Sequence, residues 1–307
     1  MESGYLHANY ARSFATLGTP YYLPEAQSWI LKRPIPGSRH WDAMGGYPFF
    51  ACKDWSKVEP DLTQLQQDIV SLTLVTDPLG NCTLTDLQPA FPDLLQPYKE
   101  HFIIDLKRPQ TISAHHRRNV RQALTQVTVE QCSPDTAFET WVKLYDYLIE
   151  RHQITGLAAF SRASFAMQWQ VPGLTILRAI HQGETVGMTL WFSDEERAYY
   201  HLAAYAPRGY ELKASYALFH CAMEHFASAG TRWIALGAGA GAHNDGSDGL
   251  TRFKRGWANE TRTVYLCGRI FKQQTYASLA GTQTATSFFP AYRHPAITPT
   301  LTRSYAA

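Results

Sequence analysis

The chain has 307 residues, 45% of them hydrophobic, which suits one large or two medium globular domains. Its formal net charge of +2 excludes the strong basic excess of a general nucleic-acid or DNA binder, while local basic patches stay open. Five cysteines (Cys52, Cys82, Cys132, Cys221 and Cys267) form neither a CxxC pair nor a disulfide framework, so scattered thiols in a reducing compartment are expected, and no metal site.

The opening MESGYLHANYARS carries Glu2 and lacks a long apolar core, so no secretory signal is expected. No apolar run reaches the roughly 18 residues of a membrane span, and a cytoplasmic protein is the expectation. Residues 5–17 predict a first helix. Trp29 to Leu31 predicts a short strand ended by Pro34 and Pro36. Tyr47 to Cys52 predicts another, punctuated by Gly45-Gly46. Leu62 to Gln67 predicts a short helix, Ile69 to Val75 a strand stopped at Asp77-Pro78-Leu79-Gly80, and Gln88 to Pro97 a proline-studded loop. Phe102 to Leu106 predicts the next strand.

Ser113 then caps a helix to Leu124 whose exposed side carries Arg117, Arg118 and Arg121. Such a side is either a solvated face or a grip on phosphates of a substrate or RNA. After a short strand at Val127 to Val129, Phe138, Trp141, Tyr145 and Leu148 recur at helical spacing. A helix over Ser161 to Gln168 follows. Leu174 to Ile180 and Thr185 to Phe192 predict a hairpin around His181-Gln-Gly-Glu184. Arg197 to Tyr205 predicts a strand with Tyr199, His201, Ala203 and Tyr205 on one face.

The segment Ala206 to Ser215 holds Arg208, Gly209 and Lys213. It leads into a helix with Leu212, Tyr216, Phe219, Met223 and Phe226 at alternating four-three spacing, closed by Ala229-Gly230. Trp233 to Leu236 then predicts a buried strand. It opens into a loop with Gly237, Gly239, Gly241, Gly246 and Gly249. A short helix is expected next, with Ser247 as N-cap and Asp248 in its first turn. Its apolar face is Leu250, Phe253 and Trp257, with Lys254 on the flank and Arg252 and Arg255 roughly opposite. A lysine there is either a positioned cation or a snorkelling side chain at a helix edge. Thr263 to Phe271 predicts the last strand, and the tail from Gly281, rich in Thr, Pro, Ser and Ala, is expected to be loose.

Three blocks carry a resemblance: HFIIDLKRP…ISAHHRRNVRQAL (His101 to Leu124), GETVGMTLWFSDEERAYYHLAAY (Gly183 to Tyr205) and WIALGAGAG…DGLTRFKRGW (Trp233 to Trp257). Their order resembles a GNAT-type acyltransferase, and the chain is similar to the Fem-type peptidoglycan aminoacyltransferases over roughly residues 45–275. That resemblance implies an α/β fold of two tandem GNAT-like domains. The first would span 1–110 plus the strand 263–275, the second 111–262, with a loose tail at 281–307.

It further implies transfer of an activated acyl group onto an amine. In that family the donor is aminoacyl-tRNA and the acceptor an amine of a cell-wall precursor; relatives use acyl-CoA or an acyl carrier protein. No bound cofactor and no metal are implied. The acceptor here is expected to be a small-molecule or peptide amine. The family's Phe-Lys lysine falls on Lys254, whose implied role is to stabilise charge on the acyl carbonyl. Phe253, Trp257, Tyr205, His201 and Asp248 are the candidate substrate contacts around it. His201, Tyr205, His243 and Asp245 are candidates for the base. Arg208 and Lys213, with only Gly209 beside them, would meet a CoA pyrophosphate weakly, which tilts the expectation toward aminoacyl-tRNA. Its backbone would then rest on Arg117, Arg118 and Arg121, or on Arg252 and Arg255. The rival from another class is a non-catalytic binding protein with a GNAT-like shell.

Overall fold

The computed structural model describes residues 2–109, 112–239, 248–281 and 288–294. In chain order the elements begin with α1 (Ala8–Arg12), β1 (Thr19–Leu23), β2 (Ser28–Pro34), β3 (Trp41–Gly45), α2 (Val58–Gln64), β4 (Ser71–Val75), α3 (Leu84–Ala90), β5 (Leu94–Asp105), α4 (Ala114–Leu124), β6 (Thr128–Gln131) and α5 (Pro134–His152). They continue with α6 (Arg162–Gln168), β7 (Leu174–His181), β8 (Glu184–Ser193), β9 (Arg197–Tyr205), α7 (Pro207–Glu211), α8 (Ala214–Ser228), β10 (Trp233–Gly237), α9 (Gly249–Arg255), β11 (Glu260–Ile270) and α10 (Gln273–Ala280). The chain divides into two compact units. The larger takes residues up to Ser13 and Lys99–Val264; the smaller takes Phe14–Tyr98 and the residues from Tyr265 onward.

In the smaller unit the strands run β1-β2-β3-β4, followed by the end of β11. The β3/β4 pair is parallel and the others antiparallel. Its core gathers Ile30, Phe50, Trp55, Leu62, Leu72, Leu74 and Phe91. A Thr83–Asp86 capping box starts α3, with both the side-chain and backbone halves made.

In the larger unit the order is β5-β10-β9-β8-β7-β6. The β7–β8 hairpin turns through Gln182 and Gly183, whose φ values of +51° and +84° suit a two-residue turn with left-handed central residues. Strands β9 and β10 are parallel, and they pair for only three residues, Arg197–Tyr199 against Trp233–Ala235, before they part. Helix α8 covers one face with Leu218, Phe219, Ala222 and Phe226, which pack with Trp191, Ile234 and Leu236. On the other face Tyr5 meets Phe192 at 5.3 Å and Tyr199 at 5.5 Å between ring centroids.

Several expectations change. The stretch 5–17 is a 3-10 turn at Gly4–Leu6 followed by the five-residue α1. The strand β1 was not foreseen. The strand expected at Tyr47 to Cys52 lies earlier, at Trp41–Gly45, and Phe50 makes only an isolated bridge to Thr76. Gln88 to Pro97 is no loop: Pro89 lies inside α3 and Pro97 inside β5. The capping box and the buried Leu87 and Ala90 hold α3 despite the proline. Residues 288–294, expected to be loose, bury Ala291 and Tyr292 against Tyr276. The rest of the tail, 282–287 and 295–307, lies outside the described residues, as do Gly241, His243, Asp245, Gly246 and Ser247.

Candidate active site

Helix α9 is set by its cap. Asp248, not a first-turn residue, is the N-cap: its Oδ1 accepts from the Thr251 N–H at 2.9 Å and its Oδ2 from the Thr251 hydroxyl at 2.5 Å. The face expected to be apolar is rotated. Leu250 is 40% exposed, whereas Lys254 is 6% exposed. The half-buried Phe253 and the buried Trp257 pack on Phe219 at 4.8 and 6.1 Å. They anchor the helix, so Lys254 is carried inward instead of snorkelling outward.

The Lys254 ammonium donates to the Ala238 carbonyl at 2.7 Å, in the segment that leaves β10. It sits 5.7 Å from the centre of the Tyr200 ring, a cation–π distance. Gly237 makes this approach possible. Its φ of +78° suits glycine, and a Cβ there would lie 3.2 Å from Nζ. Burial pulls the Lys254 pKa from 10.5 down to about 7; Asp248 opposes that fall and Lys99 adds to it.

Two more groups join, one from β5 and one from β9. His101 is 7% exposed and its Nδ1 has no hydrogen-bond partner among the described residues. Burial, with Lys254 and Lys99 adding to it, lowers its pKa to about 3, so the ring is neutral. Tyr200 extends the group on the other side: it shares a side-chain hydrogen bond with Tyr205, and burial raises both phenols.

Tyr205 and His201, expected on one face, are separated. Trp191 opposes Tyr200 and Leu190 opposes Leu202, which leaves His201 as an extra, bulged residue. His201 stays with Tyr199 on the face that holds Tyr5, and the bulge sends Ala203 and Tyr205 to the opposite face, with the core under α8. There its Nδ1 meets the Tyr5 hydroxyl at 3.1 Å and its Nε2 meets Gln168 Oε1 at 3.1 Å. Both ring nitrogens are satisfied in a dry core, which pushes its pKa down to about 3.

The cations expected to meet phosphate are distributed as follows. Arg208 pairs with Glu211 at 2.7 Å. Lys213, in a left-handed conformation at the head of α8, donates to Asn119 Oδ1 and Gln122 Oε1, both at 2.9 Å. Arg117 donates to the Ile112 carbonyl. Arg118, Arg121, Arg252 and Arg255 are exposed, and Arg255 lies 5.9 Å from the Phe102 ring centre.

Sequence reasoning passed over His116. It is buried in α4, its Nδ1 meets the Ser113 hydroxyl at 2.8 Å, and its Nε2 meets the Phe253 carbonyl at 2.8 Å. A carbonyl only accepts, so Nε2 carries the hydrogen. Gly256 makes room: a Cβ there would lie 2.1 Å from the imidazole. His101 and Tyr200 were also passed over as site residues. The one signal for His101 was a polar residue inside the apolar run His101 to Ile104.

Among the described residues no group of three His, Cys, Asp or Glu side chains is placed to hold a metal ion. No helix among them is long and apolar enough to cross a membrane. The arrangement offers a buried lysine amine of lowered pKa, a neutral imidazole and a phenol pair where two parallel strands part.

Residues 110–255 match a family model described as an acetyltransferase (GNAT) domain. The chain is similar in fold to FemX, with a TM-score of 0.65 at 12% identity over 88% of this chain and 93% of that one. It is also similar to the C-terminal domain of a putative lysylphosphatidylglycerol synthetase from Agrobacterium fabrum (TM-score 0.63, 15% identity, 87% and 88% covered) and to L-PGS from Bacillus licheniformis (TM-score 0.57, 15% identity, 88% and 94% covered). No curated protein matches the sequence. The expected α/β architecture of GNAT type holds.

Proposed function

We propose, from the match of residues 110–255 to an acetyltransferase (GNAT) domain model and the FemX-like fold, an amide-forming aminoacyltransferase that takes its acyl group from aminoacyl-tRNA and delivers it to a small-molecule or cell-wall-type amine. The observation that carries the reading is the buried Lys254 ammonium, tethered to the Ala238 carbonyl beside the parting strands β9 and β10.

The attacking amine forms the N–C bond and puts negative charge on the acyl oxygen. An ammonium has three N–H bonds, and the Ala238 carbonyl takes one. The others are donors for that oxyanion in a site where water screens little. The C–O ester bond then breaks and the tRNA 3′-hydroxyl leaves with a proton. Asp248 caps the helix and lies within electrostatic reach of Lys254, which favours the charged form.

The state of Arg208 and Lys213 favours aminoacyl-tRNA over acyl-CoA, because each already has an intramolecular partner where a CoA pyrophosphate would need a cation. An acyl carrier protein is the second donor class this argument leaves open. The exposed Arg118 and Arg121, on α4, are offered as contacts for the tRNA backbone.

The test is amide formation by the purified chain with charged tRNA, acyl-CoA and acylated carrier protein in parallel. Turnover with charged tRNA is expected, reduced about a hundredfold by Lys254→Ala, the usual loss for one oxyanion donor. Unchanged turnover in that variant would remove the assigned role. Ligand binding without turnover from any donor would make the chain a binding protein.

A further inference from the structure

His101 has no evident structural reason to be where it is. It is 7% exposed on β5, directly before Phe102, which pairs with Gly237 beside the Ala238 carbonyl that holds Lys254; its Nδ1 has no partner among the described residues, and Lys254 and Lys99 lie within electrostatic reach. A buried polar nitrogen left unpaired works against folding. Among the described residues Trp141 and Trp257 also bury an unpaired indole nitrogen, but each brings a large apolar ring into a core. An imidazole brings little apolar area in exchange. Strand alternation places Lys99 and His101 on the same side of β5, away from Phe102 and Ile104, which belong to the core under α8.

We propose that His101 is a substrate-contacting residue, whose Nδ1 accepts a hydrogen bond from the attacking amine and orients its lone pair toward the acyl carbon held at Lys254. The inference rests on the reading of Lys254 given above. The nitrogen acts as an acceptor only in the tautomer with hydrogen on Nε2. The surroundings select the nucleophile as well. Lys254 and Lys99, against the single carboxylate of Asp248, repel an alkylammonium but not a free amine, so the partner that fits is a neutral primary amine. The ring does not keep the proton. As the N–C bond forms and the ester C–O bond breaks, the proton lost by nitrogen ends on the leaving hydroxyl oxygen.

The experiment uses the full chain, charged tRNA as donor and glycinamide as the amine probe. Three variants are compared with the wild type: His101→Leu, His101→Gln and Lys254→Ala. For each, amide formation, hydrolysis of the donor by water, and the thermal midpoint are measured. His101→Leu should lower amide formation about tenfold, the worth of one neutral hydrogen bond, while hydrolysis stays unchanged. Its thermal midpoint should stay level or rise, since an unpaired polar group has gone. His101→Gln, which keeps an acceptor, should recover part of the loss. The inference is overturned if amide formation is unchanged in His101→Leu, or if amide formation, hydrolysis and thermal midpoint all fall together. Should the leucine variant not fold, the wild-type His101 Nδ1 resonance is followed by nitrogen NMR as glycinamide is added. A moved resonance supports the contact and an unmoved one overturns it. A loss in Lys254→Ala with none in His101→Leu defeats this inference alone; the reverse defeats the lysine's role alone.

Discussion

Lys254 is the residue on which charge and burial meet. A lysine whose pKa falls from 10.5 to about 7 on folding binds fewer protons folded than unfolded between those values. Stability therefore rises with pH across that window, and below about pH 7 the full cost of burying a charge is present. Lys254→Met should accordingly raise the free energy of denaturant unfolding most near about pH 6, by on the order of a few kcal/mol, and by progressively less toward about pH 10. A gain that stays constant with pH would contradict a desolvated ammonium. Catalysis runs the other way. The charged form is the oxyanion donor, so turnover should fall as pH rises through about 7. Lys254→Arg stays charged throughout, so the alkaline limb of the pH–rate profile should vanish in that variant, even where the misfit of the longer side chain lowers the rate.

At the scale of elements, α9 is too short to hold a buried charge by itself. It is held by the Asp248 cap at one end and by the His116–Phe253 hydrogen bond at the other. His116 is thus a positioning residue, and it ties the arginine-bearing helix α4 to the lysine helix. Replacing it with leucine removes the only hydrogen from α4 that reaches the Phe253 carbonyl among the bonds described. His116→Leu should lower turnover about tenfold, for one lost hydrogen bond. It should also move the alkaline limb of the pH–rate profile upward, because a loosened Lys254 is better solvated. His116→Gln keeps an N–H near the same place and should retain most of the activity. A parallel loss in both variants, with the limb unmoved, would reduce His116 to packing. These ties explain why element placement was legible in the sequence while the site was only half so. The hairpin, β9, α4 and the glycine-to-lysine stretch follow from local alternation, caps and turn residues. The bulge at His201 does not, because one inserted residue reverses every face after it and no periodicity announces it.

At the scale of the whole molecule, the first residues of the chain belong with the larger unit although residues 14–98 lie in the smaller one. Tyr5 and Tyr10 seal the face of β8 and β9 through Phe192, Tyr199 and His201. Tyr5→Ala should cost about 3 kcal/mol of stability in denaturant unfolding, as for a large buried aromatic, and should leave the unpaired His201 Nδ1 behind. A change within a few tenths of a kcal/mol would show that this segment is not part of the fold's core. Sequence alone determined what depends on neighbours a few positions apart: the α/β pattern, the cap at Ser113, the hairpin and the resemblance to a two-domain acyltransferase, which pointed to Lys254. Tertiary structure decided which polar groups are dry, and which find partners far along the chain. Lys254 went inward because Phe253 and Trp257 are anchored on Phe219, His201 went to the N-terminal segment, Lys213 to α4, and the His101 Nδ1 was left unpaired among the described residues. Desolvation is a property of everything packed around a group, and a one-dimensional pattern carries no record of it.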